Sequence, residues 1–340
     1  MIEILFSILL LILAINSIYL LVFSLAAFVK KNSDKPKNNH NHQNSFVILI
    51  PGYKEDRVII ESAKAALSQN YPVRLFKCVV IADDFSSDTI KYLFKMGVEV
   101  IQLRNDTKRT KAKAIQYYLN KCHIAEEACV LLDADNVIGT DFLEGANRYL
   151  NEGYEIVQAN RVAKNQNTDM ARLDSLSEIA NNFIFRKGQR ALGLSSSLIG
   201  SGIITKMGLF QKVMKGMDVI SGFDKEMEIR LLEQGVKIRF AEDLEVKDEK
   251  VDSEEVFVGQ RRRWNYAQWF FFRKYAGKSV QQLFQKGNFD YFNKVIQFAL
   301  LPRIVVLGAS AIAAVLSPFI GLSFLVCAVL NLILVSFSLI

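Results

Sequence analysis

The stretch Ala128-Cys-Val-Leu-Leu-Asp-Ala-Asp135 decides the fold. Its apolar run lacks the polar alternation of a half-exposed strand, and it therefore predicts a strand that is buried on both faces of a parallel sheet. Asp133 and Asp135 then lie at the carboxyl end of that strand, where open α/β sheets bind ligands. Mg²⁺ and Mn²⁺ favour such oxygen ligands and are commonly completed by substrate phosphates. The pair suggests a nucleotide or diphosphate substrate, although an isolated Asp-x-Asp more often belongs to a turn or a helix cap.

Apolar runs and amphipathic runs alternate on both sides of this strand. Strands separated by helices form βαβ units, so the alternation predicts an α/β fold with a mostly parallel sheet. The other predicted strands cover residues 46–50, 78–82 and 98–103, and the predicted helices cover residues 58–68, 88–95, 111–122 and 141–150.

Three of the predicted strands end in acidic or turn residues. These ends are Pro51-Gly-Tyr-Lys-Glu55, Asp83-Asp84 and Asp133-Ala-Asp135. Because the carboxyl ends of parallel strands share one edge of a sheet, the three ends predict a single polar crevice. Asp83 or Asp84 would also serve to cap the next helix, but Ser86 or Ser87 would do so equally well. We expect Asp83 to accept hydrogen bonds from a base or a ribose.

Both ends of the chain are apolar enough to predict membrane spans. Residues 4–29 carry no charge and, at about 1.5 Å per residue, are long enough to cross about 30 Å of hydrocarbon. A signal peptide is the competing interpretation, but the start is not basic and the apolar stretch is too long. Residues 304–340 are interrupted by Pro318 and Gly321, which predicts two spans joined by a tight turn.

Basic residues next to these spans predict that the middle of the chain is cytoplasmic. Residues 30–44 are polar and lysine-rich, which is typical of a disordered tether, and its His40 and His42 would form only an incomplete metal site. We therefore expect an integral protein of the cell inner membrane. The predicted segments are an anchor at 1–29, a basic linker at 30–44, a catalytic domain at 45–252, an interfacial region at 253–302 and two spans at 303–340.

Composition limits the partners that this chain is expected to have. The 340 residues are 51% hydrophobic, more than a soluble protein needs, and the excess lies in the terminal spans. The net charge of +7 comes without stacking aromatics or a known nucleic-acid motif, so anionic lipid headgroups and a phosphorylated substrate explain it better than nucleic acid. The four cysteines lack disulfide or metal spacing.

Three motifs downstream have both a plain and a functional interpretation. Gly200-Ser-Gly202 permits close approach of the backbone to a ligand, although a simple turn is as good an interpretation. Asp224 lies near the start of a helical pattern that stops at Gly235, where a helix cap is the plain interpretation. Gln260-Arg-Arg-Arg-Trp264 should lie on a helix from about Ser253, with Gln260, Arg263 and Trp264 on one face; a basic membrane-proximal helix is the alternative.

Together these motifs resemble, in the same order, those of membrane-embedded family 2 glycosyltransferases. The chain is similar in this respect to cellulose, chitin and hyaluronan synthases and to ceramide glucosyltransferases. The resemblance covers roughly Phe46 to Trp264 and the flanking spans. It implies a GT-A fold that binds a nucleotide-diphosphate sugar with Mg²⁺ or Mn²⁺. Pro51 to Glu55 looks like the first-strand motif, with Lys54 where asparagine is usual. Gly222 and Phe223 replace the Thr-Glu that precedes the family's catalytic aspartate.

The resemblance also implies a role for each motif. Asp135 would be the direct metal ligand with Asp133 in support, Asp224 would be the catalytic base, and Gly200-Ser-Gly202 would line the acceptor side. The residues expected to bind the nucleotide sugar are Pro51, Tyr53, Glu55, Asp83, Asp84, Lys113, Asp133, Gln260, Arg263 and Trp264.

Our leading hypothesis is an inverting, metal-dependent transferase that moves a sugar, with a UDP-linked donor as the expectation, to a lipid or glycan acceptor. An inverting transfer needs a base, and Asp224 is the carboxylate left once the metal and nucleoside sites are assigned. The rival hypothesis is a catalytically silent membrane scaffold that binds a nucleotide sugar or a partner subunit. The sugar, the acceptor, processivity and the oligomeric state stay open.

Overall fold

The computed structural model describes residues 1–29, 42–103 and 110–338. Most of the predicted basic linker, residues 30–41 with His40, lies outside the described residues. His42 lies inside them, and its imidazole is 3.1 Å from the carboxylate of Glu127.

The described part of the chain contains one eight-stranded mixed sheet. Its strand order is β3-β2-β1-β4-β7-β6-β8-β5. The strands are β1 (Phe46–Tyr53), β2 (Phe76–Asp83), β3 (Glu99–Gln102), β4 (Ala128–Leu131), β5 (Val137–Ile138), β6 (Ile156–Ala163), β7 (Ile203–Lys206) and β8 (Arg239–Asp248). The four strands predicted from apolar runs are confirmed, whereas no prediction covered β5 to β8.

The antiparallel strand β7 decides which end of its flanking segments lies at the crevice edge of the sheet. Strands β1, β2, β3 and β4 are parallel neighbours, and β6 and β8 are also parallel. Strand β7 is antiparallel to both β4 and β6. The carboxyl ends of β1, β2, β4, β6 and β8 therefore share one edge with the amino end of β7. That geometry brings Gly200-Ser-Gly202, which precedes β7, to the same edge as the three predicted strand ends.

Helices cover both faces of the sheet. In the described ranges they are α1 (Ile2–Val29), α2 (Ile59–Leu67), α3 (Ser87–Lys95), α4 (Lys111–Lys121), α5 (Phe142–Asn151), α6 (Asp169–Asn182), α7 (Gln189–Ala191), α8 (Met207–Met214), α9 (Phe223–Glu233), α10 (Glu254–Lys286), α11 (Phe289–Ala299), α12 (Arg303–Ile320) and α13 (Leu322–Ser338). A π-helical turn at Phe183–Gly188 continues α6 into α7.

The two-sided cover explains the continuous apolar runs. Ile48 and Ile50 of β1 pack on one face against α2 and α5, whereas Val47 and Leu49 pack on the other face against α4 and α8. Because alternate side chains of a strand point to opposite faces, both sets must be apolar. The predicted α/β fold with a mostly parallel sheet is thus confirmed.

Among the described residues, two helices are long and apolar enough to cross a membrane by length and composition. They are α1 and α12, and α13 is a shorter apolar helix. The break between α12 and α13 falls at Gly321, as predicted, while Pro318 lies within the last turn of α12. The helix predicted from about Ser253 is α10, and Ser253 caps it by accepting the N–H of Val256 at 3.4 Å.

Candidate active site

Three carboxylates of the described residues gather at the crevice edge of the sheet. Asp133 and Asp135 follow β4, Asp248 ends β8, and one ligand oxygen of each lies within 4.8 Å of the others. The buried amide of Asn136 fixes their arrangement: its nitrogen donates to Asp135 at 3.1 Å and to Asp248 at 3.0 Å. The N–H of Asp133 donates to the oxygen of the same amide at 3.1 Å. We call Asp133, Asp135 and Asp248 the acidic cluster.

The electrostatics of the acidic cluster favour a cation. Burial, together with the charges of Asp248 and Asp133, raises the pKa of Asp135 to about 7. Burial and the charges of Asp133 and Glu249 likewise raise the pKa of Glu55, which places Glu55 beside the cluster. A divalent cation would offset this repulsion, and carboxylate oxygens are the ligands that Mg²⁺ and Mn²⁺ prefer. The residues therefore fit the predicted metal.

Asp248 was missed by the sequence analysis. Residues 239–248 alternate between core-facing apolar side chains, such as Phe240 and Val246, and polar ones, a pattern that predicts a strand. That signal would have placed an acidic residue at a strand end. Its proximity to Asp133 and Asp135 depends on the sheet order, since β8 reaches this edge by pairing in parallel with β6.

Lys111 links the acidic cluster to the glycine segment. Its ammonium contacts the carboxylate of Asp133 and donates to the carbonyl of Gly200 at 2.7 Å. Lys113, the lysine singled out from the sequence, instead lies 3.3 Å from the exposed carboxylate of Asp218. Two residues apart on α4, the side chains are rotated by about 200° about the helix axis. The structure thus places Lys111 beside the acidic cluster, whereas the side chain of Lys113 points to Asp218.

Asp224 lies next to Gly200. Gly200 and Gly202 both have positive φ, +88° and +62°, as the close approach of the chain requires. A Cβ atom on Gly200 would lie 3.8 Å from that of Asp224. The residue that caps α9 is Gly222, so Asp224 is not the cap that a plain interpretation of the sequence favoured. Its half-buried carboxylate lies 3.6 Å from the ammonium of Lys225.

The ends of β1 and β2 adopt an unusual backbone. Lys54 and Asp84 are both left-handed, with φ of +57° and +61°, a costly conformation that clusters at functional sites. Tyr53 lies opposite Asp83 in the parallel register, and the N–H of Lys54 donates to the carbonyl of Asp83 at 3.0 Å. The cap of α3 is Ser86, which accepts the N–H of Thr89 at 3.2 Å. Neither aspartate is therefore needed as a cap.

Strand β1 extends three residues beyond the predicted strand 46–50, so that Pro51 and Gly52 lie inside it at this edge of the sheet. A Cβ atom on Gly52 would lie 2.8 Å from the ring of Phe85 and 3.3 Å from the Cβ of Ala134. Glycine is favoured here because a larger residue would displace the ring of Phe85 where the segments after β2 and β4 approach each other.

The Gln-x-x-Arg-Trp segment lies on α10, as predicted. The side-chain oxygen of Gln260 is buried and has no hydrogen-bond partner among the described residues. Arg263 is exposed, whereas Arg261 lies 2.6 Å from Asp174 and 4.6 Å from the ring centre of Trp264. Further along α10, the ring of Phe271 would meet a Cβ atom on Gly222 at 2.9 Å. Helix α10 therefore packs against the start of the helix that carries Asp224.

The mixed sheet, with the acidic cluster at the carboxyl ends of its parallel strands, has the predicted GT-A fold. Comparison with solved structures agrees: the mannosyltransferase PcManGT from Pyrobaculum calidifontis, in complex with GDP-Man and Mn²⁺, is similar with a TM-score of 0.61. The identity is 16%, and the match covers 97% of this chain and 99% of that one.

The sequence comparisons give the family. The family model "Glycosyltransferase like family 2" matches residues 42–267, more than half of the chain, and the chain therefore belongs to this family of glycosyltransferases. It is also 24% identical over 294 residues to "Probable glucomannan 4-beta-mannosyltransferase 14" from Arabidopsis thaliana. That match covers 80% of this chain, which spans about half the length of the plant protein, 53%.

Proposed function

We propose that this glycosyltransferase is an inverting, metal-dependent enzyme that moves a sugar from a nucleotide sugar to a lipid or glycan acceptor at the cytoplasmic face of a membrane. The observation that carries the proposal is the single crevice in which the acidic cluster, Lys111, Gly200 and Asp224 meet. The catalytic domain would span residues 45–252, with an interfacial region at 253–302.

The acidic cluster would hold Mg²⁺ or Mn²⁺. When bound, the cation would neutralise charge on the diphosphate of the donor. Lys111 is placed to supply further positive charge at the same edge. Asp83, with Tyr53 opposite it in the register, would bind the nucleoside where the backbone of Lys54 and Asp84 is left-handed. This is the end of the sheet at which open α/β folds bind nucleotides.

Asp224 would act as the base. As the acceptor hydroxyl attacks the anomeric carbon from the face opposite the diphosphate, its proton passes to the carboxylate of Asp224. The bond between the anomeric carbon and the diphosphate oxygen breaks, and its electron pair leaves with the diphosphate. The sugar is thus transferred with inversion. Asp224 suits this role because its carboxylate does not cap α9 and it lies beside the glycine segment.

The surface supports a membrane location. Only 33% of the most apolar stretch of α1 and 22% of that of α12 is buried, whereas the core helix of a soluble protein would be mostly buried. Leu173, Leu176 and Ile179, three residues apart on α6, are more than half exposed. An exposed apolar stripe of this kind is typical of a helix that lies in the membrane interface.

The position of α6 agrees with that assignment. The end of α1 reaches the π-helical turn after α6, where the rings of Phe28 and Phe183 are 5.7 Å apart. The start of α12 reaches α6 itself, where Arg303 donates to the carbonyl of Ser177 at 3.1 Å. Both contacts lie at the ends of the spans that are predicted to be cytoplasmic, so α6 would lie at the depth of the lipid headgroups on that side.

Product analysis tests the proposal. Membranes containing the protein would be supplied with Mn²⁺ and a panel of nucleotide sugars, with GDP-mannose beside the UDP-linked donors because similar proteins carry mannosyltransferase names. Mass spectrometry should show one sugar attached to an extracted lipid or glycan, and Asp135→Asn or Asp224→Asn should abolish it while the protein still folds. Donor binding without any transfer would favour the scaffold, and retention of the anomeric configuration would refute the inverting mechanism.

A further inference from the structure

A fully buried ion pair lies behind the active site. Glu228 of α9 is 2% exposed and Lys294 of α11 is 0% exposed, and the ammonium lies 3.5 Å from the carboxylate. Neither group belongs to the acidic cluster or takes part in the chemistry proposed above. Burying two charges is costly unless further hydrogen bonds satisfy them, so their other partners show what the pair is for.

Both members of the pair bind the segment that leads into Gly200-Ser-Gly202. The ammonium of Lys294 donates to the hydroxyl of Ser197 at 2.9 Å. The carboxylate of Glu228 accepts the N–H of Leu198 at 2.6 Å. Asp290, one turn earlier on α11, accepts the N–H of Ser195 at 2.9 Å and its hydroxyl at 2.6 Å. Two successive turns of helix α11 therefore bind this segment, through Asp290 at Ser195 and through Lys294 at Ser197.

The same pair also holds the helix that carries Asp224. Glu228 follows Asp224 by four residues, and side chains at that spacing lie on the same side of a helix. One ion pair thus connects three elements: α11, the segment before Gly200, and α9. Helix α11 is fixed independently, because Asn293, next to Lys294, donates to Gln189 at 2.7 Å and accepts from Tyr19 of α1 at 3.1 Å.

We propose that Glu228 and Lys294 are positioning residues that set Gly200-Ser-Gly202 against Asp224, and so fix where the acceptor hydroxyl is held relative to the base. The inference rests on the proposed function, since it assigns the acceptor side to this segment. It gives a reason for a costly charged pair in the core between α9 and α11, because apolar side chains of similar volume could not bind the hydroxyl of Ser197 and the N–H of Leu198.

The test replaces the pair by apolar side chains, in Glu228→Leu/Lys294→Met, within the full-length protein. Such a replacement removes the cost of the buried charges but leaves the N–H of Leu198 without its acceptor, so we expect the melting temperature to fall only modestly. If the pair positions the segment, transfer should still fall by about 100-fold, as expected for small displacements of reacting groups. The KM for the acceptor should rise, while the binding of nucleoside diphosphate with Mn²⁺ stays the same as in the wild type.

A second readout does not depend on activity. Loss of the carboxylate that accepts the Leu198 N–H should speed hydrogen exchange of that amide by about tenfold. The matched control is Glu233→Leu/Lys278→Met, an exposed pair 2.6 Å apart that joins the same helix α9 to α10. We expect the control to change neither the exchange of Leu198 nor the transfer rate.

A stable double variant that keeps its transfer rate and its acceptor KM would overturn the proposal. If that variant fails to fold, Ser197→Ala removes the hydroxyl bound by Lys294 and leaves the ion pair whole; an unchanged acceptor KM there would overturn it equally. Absence of transfer by the wild type with every donor would refute the proposed function instead, and the exchange of Leu198 would still show whether the pair holds the segment.

Discussion

Replacing Asp135 by asparagine is expected to stabilise the metal-free protein while it abolishes transfer. Burial and the neighbouring carboxylates raise the pKa of Asp135 from 3.8 to about 7. That difference corresponds to a cost of up to about 4 kcal/mol for keeping the folded, metal-free protein ionised at this position above pH 7. Asparagine removes the charge and keeps an oxygen that can accept the hydrogen bond from Asn136.

The sign of the pH dependence follows from the raised pKa. Because the folded protein holds this proton more tightly than the unfolded chain, the cost is absent below about pH 4. It grows as the pH rises from about 4 to about 7 and is constant above that. The advantage of Asp135→Asn should therefore be small at pH 4 and largest at pH 8. A gain of about 1 to 4 kcal/mol corresponds to a melting temperature higher by several degrees, about 3–10 °C.

The assay is thermal unfolding in detergent with a chelator present, from pH 4 to pH 8, followed by the same series with Mn²⁺. Manganese should raise the melting temperature of the wild type at pH 8 and leave that of the variant nearly unchanged, since a ligand stabilises only the state that binds it. Asp88→Asn, at an exposed residue of α3 that pairs with Lys91 at 3.5 Å, is the control. It should melt at the same temperature as the wild type with the chelator, and manganese should raise its melting temperature as it does that of the wild type. Equal melting temperatures of wild type and Asp135→Asn at pH 8 would refute the reasoning.

Three further predictions concern single side chains. Lys111→Met should lower the transfer rate at least about tenfold more than Lys113→Met, since Lys111 contacts Asp133 and Gly200; equal initial rates would contradict this. Gly222→Ala should lower the free energy of unfolding by about 2 kcal/mol, because its φ is +72° and the added Cβ meets Phe271, whereas Gly277→Ala, which meets nothing within 4 Å on α10, should not destabilise. Glu178→Gln should cost about 3–5 kcal/mol in denaturant unfolding because it leaves the buried Arg186 without a carboxylate and Arg161 with that of Asp248 alone; a neutral result would contradict this.

Local signals in the sequence predicted a large part of the fold and some of the site. The apolar runs of β1, β2 and β4 are continuous because the sheet is covered on both faces, so they are visible without any knowledge of the neighbours. The cap of α10 at Ser253 and the pairing of Asp133 with Asp135 are likewise local. The roles of Asp224, Gln260 and Arg263 came from the family resemblance, from the need of an inverting transfer for a base and from helical spacing, and they stay predictions.

Other parts of the site depended on contacts between distant residues. Strands β6, β7 and β8 alternate or are short, and the sequence analysis predicted none of them. Without β8, Asp248 is an acidic residue in an unassigned stretch, 113 positions beyond Asp135 along the chain. Lys113 was taken from the family resemblance, and the sequence analysis did not single out Lys111, because spacing along a helix does not tell which of its sides meets the sheet.

The sequence by itself determined that this chain has an α/β sheet with acidic strand ends, apolar helices at both termini and the ordered motifs of a family 2 glycosyltransferase. Periodicity, charge and capping are encoded within a few residues, and each can be recognised alone. The tertiary structure alone decided which of these residues meet. The antiparallel insertion of β7 brings Gly200 to the crevice, and the parallel pairing of β8 brings Asp248 to Asp133 and Asp135. Strand order results from packing across the whole sheet, which no short stretch of sequence specifies.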